Sequence, residues 1–184
     1  MTLGLDVSTT CTGFTILDDN KEIVKVGYWE LTKLEFEDTP DNEDELLYAK
    51  ADYLIEQIDK LCLDYGIYTI IIEKQLVTVA GKNIHAAFVL NSMNSIISHH
   101  LFSQKKKIIK VYSQTARKNF LGNDYAMFTK LPKTDDAKKE YLSNRAKEKL
   151  SKFIEFEARP KRKDKYKSFI YDVVDSYIVA LSGK

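Results

Sequence analysis

Along the opening stretch apolar and polar side chains alternate, with Leu3, Leu5 and Val7 on one side of an extended chain. Period-two alternation marks strands that bury one face. The turn-prone runs Ser8-Thr9-Thr10-Cys11-Thr12 and Asp18-Asp19-Asn20 separate three such segments, at 3–7, 13–17 and 23–29, which predicts an antiparallel meander. An acidic loop containing Pro40 fills 35–45. The period then changes. Leu47, Ala51, Leu54, Ile55, Ile58, Leu61 and Cys62 fall three and four apart, so the spacing predicts a helix over 44–65 that Gly66 ends.

Ile67-Tyr-Thr-Ile-Ile-Ile72 is an unbroken β-branched and aromatic run, the pattern of a strand buried on both faces, and it stops at Glu73. Helix is predicted over 83–102, strand over 107–112, and a short helix from Ser113, taken as its N-cap. Residues 123–134 read as loop, 135–156 as a lysine-rich helix, 157–168 as a basic mobile segment and 169–181 as the last helix. A meander followed by alternating helix and strand predicts an α/β fold in one domain over 1–184. Its five-stranded mixed sheet has three antiparallel strands, then two parallel ones, with helices on both faces.

Composition supports a folded core, with 44% hydrophobic residues and no need of a disulfide or metal staple. No run approaches the 18 or so apolar residues of a membrane span, and the start, MTLGLDVSTT, lacks a secretion signal. Cys11 and Cys62 read as buried thiols of a reducing compartment, so a cytoplasmic location is expected.

The net charge of +1 conceals an asymmetry: residues 1–64 hold 16 acids and 5 bases, whereas 65–184 hold 11 acids and 23 bases. A basic half of this kind points to a polyanionic partner. Residues 101–171 alone carry 20 bases against 8 acids. Candidate DNA contacts are Lys105, Lys106, Lys107, Arg117, Lys118, Arg159, Lys161, Arg162, Lys163, Lys165 and Lys167, with Lys74, Gln75 and Leu76 as candidates for base preference. Solvated helix faces are the alternative for the lysines of 135–156. His85, His99 and His100 show no zinc spacing and read as surface or helix-capping residues.

Four carboxylates stand out by where they sit, although Asp172 and Asp175 taken alone also fit a solvated helix face. Asp6 interrupts an apolar strand, Glu73 ends the most hydrophobic one, and Asp172 and Asp175 sit three apart on the last helix, opposite its apolar arc of Val173, Val174, Tyr177, Ile178 and Leu181. Ligands of open α/β sheets gather at the carboxyl ends of strands, where all four can meet. Two carboxylates about 4–5 Å apart repel by roughly 3–4 kcal/mol at an effective dielectric near 20, so such a cluster calls for protons or cations. An all-oxygen ligand set selects Mg²⁺ or Mn²⁺, and two such ions can clamp a phosphodiester during in-line displacement.

Gly4-Leu-Asp6-Val-Ser-Thr-Thr-Cys-Thr-Gly13-Phe-Thr-Ile-Leu resembles the first hairpin of RuvC-like Holliday junction resolvases. Ile70-Ile-Ile-Glu73-Lys-Gln resembles that family's fourth strand, Asp172-Val-Val-Asp175-Ser-Tyr-Ile-Val-Ala-Leu181 its final helix, and 111–122 its strand-to-helix step. The resemblance implies a ribonuclease H-like fold and a homodimer whose two sites nick two strands of a four-way DNA junction, leaving 5′-phosphate and 3′-hydroxyl ends. It also implies two Mg²⁺ per site held by Asp6, Glu73, Asp172 and Asp175. Lys118 is the candidate for a basic side chain at the scissile phosphate. The core helix at 83–102 is the candidate for the dimer interface. Three rivals stand: a nuclease acting on RNA or on branched DNA generally, a non-catalytic DNA-binding module, and one lobe of an actin or sugar-kinase-like ATPase, whose phosphate hairpin Asp6-Val-Ser-Thr-Thr also resembles.

Overall fold

In the computed structural model the chain is described over residues 1–36, 40–74, 84–132, 135–156, 158–159 and 162–183, with residues 135, 158–159 and 162–166 described by backbone alone. Three strands come first: β1 (Thr2–Asp6), β2 (Cys11–Leu17) and β3 (Ile23–Glu30). Then follow α1 (Glu43–Asp64), β4 (Thr69–Lys74), α2 (Ile84–Ser103), β5 (Lys107–Tyr112) and α3 (Ser113–Leu121). A 3₁₀ turn at Gly122–Asp124 leads to α4 (Tyr125–Lys130), α5 (Asp135–Leu150), the short strands β6 (Ala158–Arg159) and β7 (Arg162–Tyr166), and α6 (Ser168–Ala180).

The main sheet has the order β3-β2-β1-β4-β5. β1 pairs antiparallel with β2 and β2 with β3, whereas β1–β4 and β4–β5 are parallel, as expected. The crossovers need helices, and α1 and α2 supply them. Asn42 caps α1, its side chain accepting from the N–H groups of Asp44 and Glu45 at 3.1 and 3.0 Å. Gly66, at φ 61, takes the left-handed turn that closes the helix.

Alternation along the strands sorts the two faces. Leu3 and Leu5 of β1 and Ile70 and Ile72 of β4 bury against α1 and α2, with Leu54, Ile58, Met93 and Ile97. Gly4, Asp6 and Glu73 therefore belong to the other face, which α6 covers. There Ile170, Val173, Val174, Tyr177 and Ile178 pack with Ala116 and Leu121 of α3, Phe128 of α4, and Leu142, Ala146 and Leu150 of α5.

Bare backbone brings α6 close. A β-carbon on Gly4 would lie 2.5 Å from that of Ala180, and one on Gly13 would overlap the Asp172 carbonyl. Thr15 and Ser176 share a buried 2.9 Å hydrogen bond across the same contact.

Several expectations change. The segment 123–134 is not all loop, because Tyr125–Lys130 is helical and buries Phe128. The segment 157–168 is not simply mobile coil, because β6 and β7 pair antiparallel. α5 ends at Leu150, short of 156. Ser113 is the first helical residue of α3 rather than its cap, which falls on Tyr112 without a side-chain bond. Nor does α6 have a solvated face: residues on every side of it, including Tyr171, Ser176, Val179 and Ala180, are buried. Cys62 is buried as expected, but Cys11 is only half-buried. No helix among the described residues is long and apolar enough to cross a membrane.

Candidate active site

Parallel register builds the first half of the site. Leu5 pairs with Ile72, so Asp6 and Glu73 come next in line on neighbouring strands, whose axes lie about 4.8 Å apart. Helix α6 adds the second half. Its backbone rests on Gly13, the register partner of Asp6, at the level of Asp172. One turn further on stands Asp175, its side chain 13% exposed.

The fifth member is a cation. Arg117, on the inward side of α3, sets Nη2 3.3 Å from Asp175 Oδ1 and also faces Glu73 and Asp6 electrostatically. Burial opposes its charge, but Asp175, Glu73 and Asp6 more than offset that, and its pKa rises. Arg117 Nε is buried without a partner among the described residues.

Asp6, Glu73 and Asp172 are correspondingly reluctant to ionise. Burial, then Asp175, Glu73 and Asp172, push Asp6 well above the usual carboxylate range, with Arg117 working against them. Glu73 is pushed up to about 7 by burial and then by Asp175, against Arg117 and a hydrogen bond with Ser113. Asp172 is pushed up to about 6 by burial, with a Cys11 hydrogen bond and the Lys139 charge pulling down and Asp175 pushing up. Burial and the neighbouring acids raise the Cys11 thiol far above its ordinary value, so it stays protonated and donates to Asp172.

The four acids are electrostatic neighbours, three of them facing Arg117, rather than a formed cage. Among the described residues no group of three His, Cys, Asp or Glu side chains is arranged to hold an ion as it stands. The donor chemistry nonetheless fits a hard divalent cation. It consists of carboxylate oxygens with one guanidinium against four acids, and no imidazole belongs to it. His85 faces Glu43 at 3.4 Å, His100 pairs with Asp59 at 2.8 Å, and His99 is exposed.

The basic candidates separate by position. Lys118 is exposed on α3, one residue from Arg117, which takes the place beside the acids. Lys74 lies over the Tyr112 ring at 4.8 Å, at the same strand end as Glu73. Lys105, Lys106 and Lys107 lie at the far end: Lys107 pairs with Thr69 whereas Glu73 pairs with Val111, a separation of roughly 13 Å along the strand. Lys106 Nζ is moreover bonded to the Ile67 carbonyl at 2.8 Å. Arg159, Arg162, Lys163 and Lys165 belong to the β6–β7 hairpin, and Lys167 precedes α6. Gln75 and Lys161 lie outside the described residues.

Sequence reasoning missed Arg117 as a member of the cluster, and also Ser113, Cys11 and Lys139. Lys139 is among the lysines of 135–156 for which a solvated face is the alternative, yet it lies 5.7 Å from the Tyr171 ring centroid and lines a cleft of about 580 Å³ with Asp172. Its i, i+3 neighbourhood with Asp136 in a basic helix was the available signal. The Ser8-Thr9-Thr10 turn is occupied with itself. Ser8 Oγ accepts from the Thr10 and Cys11 N–H groups, at 3.2 and 3.0 Å, and Thr12 Oγ1 accepts from the Ser8 N–H at 3.2 Å.

No protein-family profile matches the chain, and no curated protein matches it. Solved structures do match in shape. T. thermophilus RuvC in complex with Holliday junction substrate aligns with a TM-score of 0.61 at 11% identity, over 98% of this chain and 90% of that one. The yeast mitochondrial Holliday junction resolvase Ydc2 aligns with a TM-score of 0.57 at 16% identity, over 98% of this chain and 76% of that one. The fold is thus a RuvC-like, ribonuclease H-like α/β fold.

Proposed function

We propose that this protein is a divalent-metal-dependent endonuclease that resolves four-way DNA junctions by paired symmetric nicks, leaving 5′-phosphate and 3′-hydroxyl ends. The observation that carries the reading is the meeting of Asp6, Glu73, Asp172 and Asp175 at one sheet edge, each penalised for being charged there or placed against the cluster's arginine. Two Mg²⁺ ions, with Mn²⁺ as substitute, would be held by these four carboxylates. When bound they supply an activated water and charge stabilisation for the departing oxygen.

The protein's own groups do the rest. Arg117 faces Asp175, Glu73 and Asp6, and its planar guanidinium is suited to pair with the scissile phosphate. Cys11 and Lys139 orient Asp172, and Ser113 orients Glu73. Lys118, Lys167 and the hairpin bases Arg159, Arg162, Lys163 and Lys165 are assigned to the DNA backbone and Lys74 to base preference, while Gln75, Leu76 and Lys161, outside the described residues, keep the roles expected from sequence. Support for that assignment is proximity along the chain, since the hairpin runs directly into α6, which bears Asp172.

Two incisions need two sites, so a homodimer belongs to the proposal. Its support is the outward side of α2, where Phe88 is 56% and Phe102 74% exposed.

The test uses a labelled immobile four-way junction and its matched linear duplex, each with Mg²⁺ or with chelator. Symmetric nicks in the junction alone, and only with metal, are expected. Equal cutting of both substrates would indicate a general nuclease, and cutting of an RNA–DNA hybrid an RNA-processing one. An Asp6→Asn variant should bind the junction and leave it intact.

A further inference from the structure

A second feature sits beside the acid edge and has no part in holding ions. Tyr28 of β3 and Phe169 of α6 stack nearly parallel, their ring centroids 4.4 Å apart at 17°. Tyr28 remains 40% exposed. The pair stands between two open clefts and lines both. One, of about 580 Å³, reaches Asp172 and Cys11 and has Lys139 in its wall. The other, of about 570 Å³, is lined by Lys33 and Lys167. Glu30 borders both clefts.

These properties select the occupant. An aromatic pair fixed by its own stacking is a rigid flat platform, and nucleobases of any kind stack on such platforms. Glu30, which borders both clefts, repels a phosphate from the platform itself, so the occupant is flat, uncharged and a hydrogen-bond donor at its edge. Lysines stand outside the platform in both directions, Lys139 toward the acids and Lys33 and Lys167 away from them. That is the alternation of charge and ring which a single strand demands, phosphate then base then phosphate. Both oxygens of Glu30 are within reach of donors already, Lys33 Nζ at 3.0 Å and Thr32 Oγ1 at 3.5 Å. The exposed ion pair with Lys33 is weak and readily exchanged.

We propose that the cleft between β3 and the start of α6 is a nucleobase site. A base unstacked from the strand beside the scissile phosphate lies against Tyr28 and Phe169 and offers an exocyclic amine to Glu30. Carboxylates accept such amines from cytosine, adenine and guanine but find no exocyclic donor on thymine. The proposal rests on the nuclease reading for the identity of the strand, and it adds a source of sequence preference separate from the ion site.

The test separates the two. The full-length Asp6→Asn variant is bound to a four-way junction bearing 5-iodocytosine at one position at a time around the branch, irradiated, and the cross-linked peptide mapped. Cross-linking to Tyr28 or Phe169 from a single position in each incised strand is expected. Cross-links only elsewhere, or none while the junction is bound, would overturn the site. In parallel, incision by the wild type and by Tyr28→Leu, which keeps most of the volume of a half-exposed side chain, is timed on that junction and on one abasic at the same position. Tyr28→Leu should slow incision of the intact junction about tenfold, within the worth of one base–aromatic stack, and leave the abasic one unchanged. Equal slowing of both would make Tyr28 a structural residue only. A cross-link at Tyr28 without any incision by the wild type would instead sink the nuclease reading and leave the base site standing.

Discussion

Arg117 and Lys118 are adjacent in sequence and opposite in circumstance. The first touches Asp175 and is 26% exposed, while the second faces solvent. Helical geometry turns successive residues by about 100°, so one basic residue of the pair had to face the sheet, but nothing in Ala116-Arg117-Lys118-Asn119 told which. Arg117→Ala should therefore cut the incision rate at saturating DNA by tenfold or more, and Lys118→Ala by much less; the reverse order would restore Lys118 to the site.

Protonation gives a second prediction at this scale. In the ion-free protein Glu73 and Asp172 titrate near 7 and 6, above the roughly 4 of an unfolded carboxylate. A raised carboxyl pKa means that the folded state binds protons more tightly. The stability it contributes is full below about pH 4 and is lost as pH rises through about 6 and 7. Thermal melts without metal should fall across that window, and added Mg²⁺ should raise Tm more at pH 8 than at pH 5. Equal Mg²⁺ shifts at both would place the ions elsewhere. Incision should gain rate with pH over the same interval.

At the scale of elements, strand and helix limits read from periodicity agree closely where the pattern is long. β5 matches at both ends, and α1 is displaced by one residue. Helix α4 escaped because six residues, of which Phe128 alone is buried, are too few to show a period. Lys105, Lys106 and Lys107 were legible as a basic run, but not as a run at the wrong end of a parallel strand, since strand polarity is a property of pairing and not of composition. Helix α6 misled in a different way: a wheel sorts its acids from its apolar arc, yet the helix is enclosed by the sheet and by α3 and α5, so the acids became half-buried instead of solvated. Its seating is testable. Gly13→Ala forces a methyl group into the Asp172 backbone and should cost about 1–3 kcal/mol together with a hundredfold or greater loss of incision. A variant that melts lower but cuts normally would show that the spacing of helix and sheet is not critical.

For the whole molecule, charge is distributed by region: an acid edge, a basic hairpin leading into α6, and a distant basic run at the start of β5. Neutralising Arg162, Lys163 and Lys165 together should reduce the slope of log affinity against log salt by up to about 2.7, at about 0.9 per lost phosphate contact. Changing Lys105 and Lys107 to alanine should leave incision nearly untouched. A matching fall from both sets, followed by titration of junction binding over a salt series, would mean that DNA wraps the far edge as well. The convergence of Asp6 and Glu73 was legible because alternation and parallel pairing force it. The convergence with Arg117 was not, because it depends on how far α3 approaches α6.

Where α6 crosses β1 and β2, it rests on two bare Cα positions, Gly4 and Gly13. The gap between the acids on the helix and those on the sheet is consequently gauged by main chain, which has no rotamers to drift between. Ordinary repacking of the interior leaves that gauge alone. An engineer wishing to set the two pairs of acids further apart would have to begin at those two residues, and evolution would face the same bottleneck.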